Sequence, residues 1–194
     1  MDYKIRRLDE LEGDHRQAIS QLYVEAFQNK MTIMSRDVEI LARIFKDSFI
    51  PSMYYVCLDG DKIIGIIACS NSKQRANSFE KDVLIKEFGY IRGRIYIAMI
   101  NSFLTTPNAR TEDEGYIESL ATHPDYRGKG IATALLDHAH NKSGYNKYIL
   151  DVIHGNEGAK ALYERIGYNT YKTEKGIFLK LLNIKELYYM EFSL

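Results

Sequence analysis

The chain has no tryptophan, three prolines and two cysteines, and its 26 Lys and Arg are cancelled by 26 Asp and Glu. Each shortage excludes something. Cys57 and Cys69 are too few for a disulfide framework, which points to buried, reduced thiols in a cytoplasmic protein. A formal net charge of zero removes the general electrostatic case for nucleic acid or for a membrane surface as partner. No apolar run reaches the ~18–20 residues of a spanning helix. The opening MDYKIRRLDE has no apolar stretch of the kind a secretory leader needs. Repeats and low-complexity segments are also missing, and 194 residues suit a single domain, 1–194.

What is present centres on Gly115 to Asp137, GYIESLATHPDYRGKGIATALLD. Tyr116 to Thr122 read as a strand. Pro124 breaks it, since it has no N–H and restricts the residue before it. Arg127-Gly128-Lys129-Gly130 follow, and then an apolar helical stripe of Ile131, Ala134, Leu135, His138 and Ala139. A helix start carries unpaired N–H groups and the positive end of the macrodipole. Glycines at 128 and 130 let a bulky anion approach, Ala132 keeps the first turn small, and Arg127 and Lys129 add charge. The loop predicts a phosphate or pyrophosphate ligand. It is neither a Walker loop, which needs Gly-x-x-x-x-Gly-Lys-Ser/Thr, nor a dinucleotide fingerprint, because position 133 is Thr.

Around this stretch the periodicity predicts mixed α/β structure. Tyr3 to Leu8 is a short strand. A helix carries Ile19, Leu22, Tyr23, Ala26 and Phe27, with Asp14 as its cap, and a second, capped by Ser35 or Asp37, carries Val38, Leu41, Ala42, Phe45 and Phe49. Asp59-Gly60-Asp61 joins two apolar runs, Ser52–Leu58 and Lys62–Ser70, as a hairpin. Gly65 inside the second run marks a bulge or a close backbone approach. From 71 to 108 two helical stripes, Phe79/Val83/Leu84/Phe88 and Ile91/Ile95/Met99/Phe103, break near Gly89. The acidic residues Glu112, Asp113 and Glu114 read as a loop at the mouth of a site. Lys147 to His154 and Tyr168 to Thr173 are strands, with a helix over Glu157–Ile166 that ends at Gly167.

Arg127-x-x-Gly130-x-Ala132 resembles motif A of the GNAT superfamily of acetyl-CoA-dependent N-acetyltransferases. Asn156-x-x-Ala159-x-x-x-Tyr163-x-x-x-Gly167-Tyr168 resembles its motif B, at the expected separation. The resemblance covers roughly residues 115–170. It implies a central, mostly antiparallel sheet with splayed fourth and fifth strands and helices on both faces, here with a helical insertion at 71–108 that serves as an extra layer, a lid, an acceptor wall or a dimer surface.

The resemblance also implies a set of site residues. Arg127, Gly128, Lys129, Gly130, Ile131, Ala132 and Thr133 would hold the coenzyme pyrophosphate. Leu120, Ala121 and Thr122 would meet the pantetheine arm, with the Leu120 amide donating to the thioester oxygen. Asn156 would contact the same arm, or only cap its helix. Tyr163 would protonate the leaving thiolate; spacing alone favours a core tyrosine. Glu118, two residues before Leu120 and on its face at period two, would be the base, or would only orient a cationic acceptor, or would face solvent. His123 and His154 are weaker candidates, and no Cys/His cluster has metal-ligand spacing. The expected activity is direct transfer of acetyl from acetyl-CoA to an amine of a small molecule or peptide. The rival is a catalytically silent acyl-CoA-binding module. A homodimer is left open.

Overall fold

The structure, a computed structural model, describes residues 3–101, 107–176, 179 and 184–194. Seven strands form one sheet: β1 (Lys4–Arg7), β2 (Tyr54–Asp59), β3 (Lys62–Ser70), β4 (Glu114–Thr122), β5 (Lys147–Ile153), β6 (Asn169–Glu174) and β7 (Leu187–Ser193), in the spatial order β1-β2-β3-β4-β5-β7-β6. Every pair is antiparallel except β4–β5. That one parallel pair needs a crossover, which α5 (Ile131–Lys142) supplies.

Helices cover both faces, as the resemblance implies. On one side α1 (Arg16–Met31), α2 (Val38–Lys46), α3 (Lys81–Phe88) and α4 (Tyr90–Ile100) share a core with Val56, Ile66, Ala68 and Ala121. On the other, α5 and α6 (Glu157–Ile166) share one with Ile64, Ile67, Leu150, Val152 and Met190. Asp37 caps α2, its carboxylate accepting from the Glu39 and Ile40 amides, as a short acceptor beside free N–H groups should. Gly60 takes φ +58 in the β2–β3 turn. Gly65 lies beside a register shift, and a Cβ there would stand 2.8 Å from Ile131 Cγ2 and 3.0 Å from Leu135 Cδ1. The bulge reading holds, whereas the close approach is made by side chains of α5 and not by its backbone, and the bare glycine lets α5 lie close on the sheet.

Several expectations change: His15, not Asp14, holds the N-cap position of α1, and Phe49 lies beyond the end of α2. The buried side of α5 is Ile131, Leu135, Leu136, Ala139 and His140, so Ala134 is exposed and the stripe turns by about one residue. His140 goes inside because Tyr168 bonds its Nε2 at 2.7 Å and Phe192 stacks on the ring at 4.7 Å. In the 71–108 insertion the two helices and the break at Gly89 (φ +76) are present, but α4 buries Gly93, Tyr96 and Ile100. Of the predicted stripe, Ile91 and Ile95 are outside, 76% and 54% exposed, while Met99 is half-buried against the core. A Cβ on Gly93 would meet Ile85 Cα at 2.7 Å and Leu84 O at 2.9 Å, so the bare glycine edge is where α3 and α4 touch. Phe103 lies outside the described residues, as does half of the 174–185 connection.

Candidate active site

β4 and β5 are paired only at their beginnings, from Glu114↔Lys147 to Tyr116↔Ile149. Beyond Tyr116 the two strands part, and the edge of β4 that faces β5 has no strand partner. A bulge sits in the freed part of β4. Ala68 pairs with Glu118 and Ile66 with Ala121, so Ser119 and Leu120 together oppose Ile67. Ser119 takes φ +59, the only non-glycine residue in the left-handed region among the described residues.

The bulge corrects one expectation. It breaks the period of two, so Glu118 and Leu120 do not share a face. Leu120 packs into the α5–α6 core, whereas Glu118 turns toward the α1–α4 side. There Arg75 Nε donates to both Glu118 oxygens at 3.1 and 3.0 Å, Arg75 Nη2 donates at 2.6 Å, and the Ala76 amide donates at 3.1 Å. The acidic residues at 112–114 do not form a free rim either. Glu114 is buried against Arg110, and Glu112 pairs with Lys73 at 3.1 Å. They lie at the closed end, where β4 and β5 join.

The open end carries the glycine loop. Gly128 (φ +74) and Gly130 (φ +79) both need the left-handed region, and a Cβ on either would meet nothing within 4 Å. Gly130 precedes α5, and no side chain caps the first turn, which also holds no acidic residue. The first helical bond runs from the Ala134 amide to Gly130 O at 3.0 Å, so the Ile131, Ala132 and Thr133 amides have no intrahelical partner. Arg127 and Lys129 are exposed and have no carboxylate partner among the described residues; Arg127 Nε reaches Thr122 O at 3.5 Å, and Lys129 Nζ lies over the Tyr126 ring. Open space, unpaired N–H groups and two cations without carboxylate partners are the chemistry that suits an anion such as a phosphate, and Thr122, at the end of the freed part of β4, lies beside Arg127.

Tyr163 and Asp151 flank the gap from opposite sides of the sheet. Tyr163, on α6, is 8% exposed and packs among the α5–α6 core residues. Its hydroxyl makes no hydrogen bond within the described residues, yet no buried side-chain oxygen there lacks a partner. The ring is therefore buried while its oxygen keeps some exposure. Burial, and then the Asp151 charge, push its pKa above the usual phenol value. Asp151 alternates with Leu150 and Val152 on β5, which puts it on the α1–α4 side. It accepts a hydrogen bond from Tyr116. Burial raises its pKa, against the pull of Arg75 and Lys30. Asn156 occupies the N-cap position of α6, but its side chain makes no capping bond. His123 is in the turn after β4, accepting from the Asp125 amide, and His154 pairs with Tyr188 at 3.1 Å.

Residues 16–168 match the family described as the Acetyltransferase (GNAT) family. The chain belongs to that family. A GNAT relative, N-alpha-acetyltransferase 30 of Schizosaccharomyces pombe, is 29% identical over 126 residues, which are 63% of this chain and 61% of that protein's length. Among solved GNAT-fold structures, an N-acetyltransferase from Staphylococcus aureus Mu50 superposes with a TM-score of 0.64 at 17% identity, covering 97% of this chain and 100% of that one. The NatC complex bound to Gag peptide and CoA gives 0.59 at 19% identity, covering 100% and 99%. These two likenesses are likenesses of fold.

Sequence reasoning missed Asp151 and Arg75. For Asp151 a signal existed, a lone carboxylate inside the apolar run YILDVI. Arg75 carried none, because only the folded chain brings it across 43 residues to Glu118.

Proposed function

We propose that this protein transfers the acetyl group of acetyl-CoA to an amine of a small molecule or peptide. The uncapped glycine loop of α5, opening directly onto the freed edge of β4, is the observation that carries this reading. The first-turn amides, Arg127 and Lys129 would take the pyrophosphate, and Leu120, Ala121, Thr122 and Asn156 would line the path of the pantetheine arm. The similarity to an N-alpha-acetyltransferase supports a peptide α-amine as acceptor.

The chemistry follows from what sits on each side of the gap. The amine nitrogen attacks the thioester carbonyl, and the oxygen that gains charge accepts a hydrogen bond from the Leu120 amide. The C–S bond breaks as the C–N bond is completed. We assign the amine proton to Asp151, a carboxylate on the side of the gap opposite Tyr163 whose pKa burial raises, which makes it a better proton acceptor than an ordinary carboxylate. Tyr163 supplies the proton that the leaving sulfur takes; a phenol with a raised pKa holds it until a thiolate forms. Glu118, closed by Arg75, is assigned to holding the bulge of β4 rather than to proton transfer.

The Glu118–Arg75 pair also favours a second reading, a module that binds acyl-CoA and turns nothing over, since one carboxylate of the gap is already neutralised. Thiol release from acetyl-CoA, measured against amino acids, polyamines and short peptides with Tyr163→Phe alongside, separates the two. Acceptor-dependent release that falls in the variant, while coenzyme binding persists, supports the enzyme. Binding without release for any acceptor supports the module.

A further inference from the structure

We propose that Lys62 is an additional phosphate-binding cation of the coenzyme site, held there by the ring of Tyr126. The inference rests on the proposed acetyl-CoA reading and extends it to a residue outside both sequence motifs. Tyr126 immediately precedes the glycine loop. Its hydroxyl donates to Asp59 Oδ2 at 2.9 Å, which ties the loop to the tip of the β2–β3 hairpin. Two ammonium groups share its ring: Lys129 Nζ stands 4.7 Å from the centroid and Lys62 Nζ 5.3 Å. His123 and Tyr3 pack edge-on against the same ring, at 5.7 and 6.3 Å.

The charges explain why a ring is used. Asp59 and Asp125 both stand near the Tyr126 ring, and either could have neutralised the lysines. Asp59 instead accepts the Tyr126 hydroxyl, and Asp125 lies 3.8 Å from His123 Nδ1. Neither Lys62 nor Lys129 has a carboxylate partner among the described residues. The aromatic face gathers two cations without quenching either, so both keep their charge for an anion. Arg127 is the third unpaired cation in the same stretch. Three such charges beside unpaired helix amides exceed what a neutral pantetheine arm requires, and they match the several negative charges of the nucleotide end of the coenzyme.

The test is titration of the purified protein with coenzyme A at low and at 0.5 M salt, for wild type, Lys62→Ala, Lys62→Arg and Tyr126→Leu, each checked for an unchanged melting curve. Lys62→Ala is expected to bind about five- to tenfold more weakly at low salt, and the defect should shrink at ~0.5 M as screening removes the lost term. Lys62→Arg should restore most of the affinity, and Tyr126→Leu should reproduce the loss. Unchanged affinity in Lys62→Ala, or a defect of equal size at both salt concentrations, overturns the role of Lys62 while the acetyl-CoA reading stands. Failure of the wild type to bind coenzyme A removes both.

Discussion

The guanidinium of Arg75 closes around the carboxylate of Glu118, with both side chains almost out of solvent at 6% and 8% exposure. The pair spans β4 and the chain leaving β3, and Arg75 also lies over the Tyr116 ring at 4.6 Å. A buried pair of this kind is weak evidence for net stability, but removing one partner strands a charge. Arg75→Met is therefore expected to cost about 3–5 kcal/mol in urea unfolding, and the double variant Arg75→Met/Glu118→Leu to cost less than the single one. A loss below about 1 kcal/mol in the single variant would show the carboxylate reaching water, and with it a chance to act as base.

Asp151→Asn separates chemistry from folding. Turnover should fall by about 10²–10⁴ with little change in coenzyme binding, and the rise of kcat/KM with pH that reports the base should vanish. The sign of the stability effect is opposite. A carboxyl whose folded pKa is raised contributes stability below its unfolded pKa and loses it as pH rises through the folded one. At neutral pH the variant should be as stable as wild type or more so, by thermal melting. Unaltered turnover would hand the role of base to another group.

Two glycines act on different parts of the molecule. Gly65→Ala would push a methyl onto Ile131 and Leu135 and lift the start of α5, the helix that carries the loop. Overpacking of this kind costs about 1–3 kcal/mol, and here weaker coenzyme binding should accompany it. Gly93→Ala would force the α3 and α4 backbones apart, with a comparable loss of stability and intact coenzyme binding. Equal effects of both variants on binding would mean that the insertion is coupled to the coenzyme site.

His140 gives the fold a pH dependence of its own. Burial between Tyr148, Tyr168 and Phe192 lowers its pKa to about 4, so the folded protein holds it neutral. The stability this group contributes is complete above its unfolded value near ~6.5 and is lost as pH falls toward about 4. Urea midpoints measured from pH 7 down to 4 should decline more steeply for wild type than for His140→Gln.

The sequence by itself determined the elements and the loop, because these depend on neighbours in the chain. The hairpin at Gly60, the left-handed glycines of the loop and the stop at Gly167 each follow from one residue's backbone freedom, and α6 begins and ends where its spacing predicts. The resemblance to motif B singles out Tyr163, where local pattern alone reads a core tyrosine. What local pattern did not decide was which side of an element faces inward. Two sides of α4 are apolar, and only the fit of Gly93 against α3 chooses between them. On β4 the alternation reads as unbroken, and only pairing with β3 shows two residues opposing Ile67 and turning Glu118 away from Leu120. Arg75 meets Glu118, and Lys62 meets Tyr126, across long stretches of chain. The tertiary structure alone decided those contacts, because burial and electrostatic pairing depend on distance in space and periodicity reports only distance along the chain.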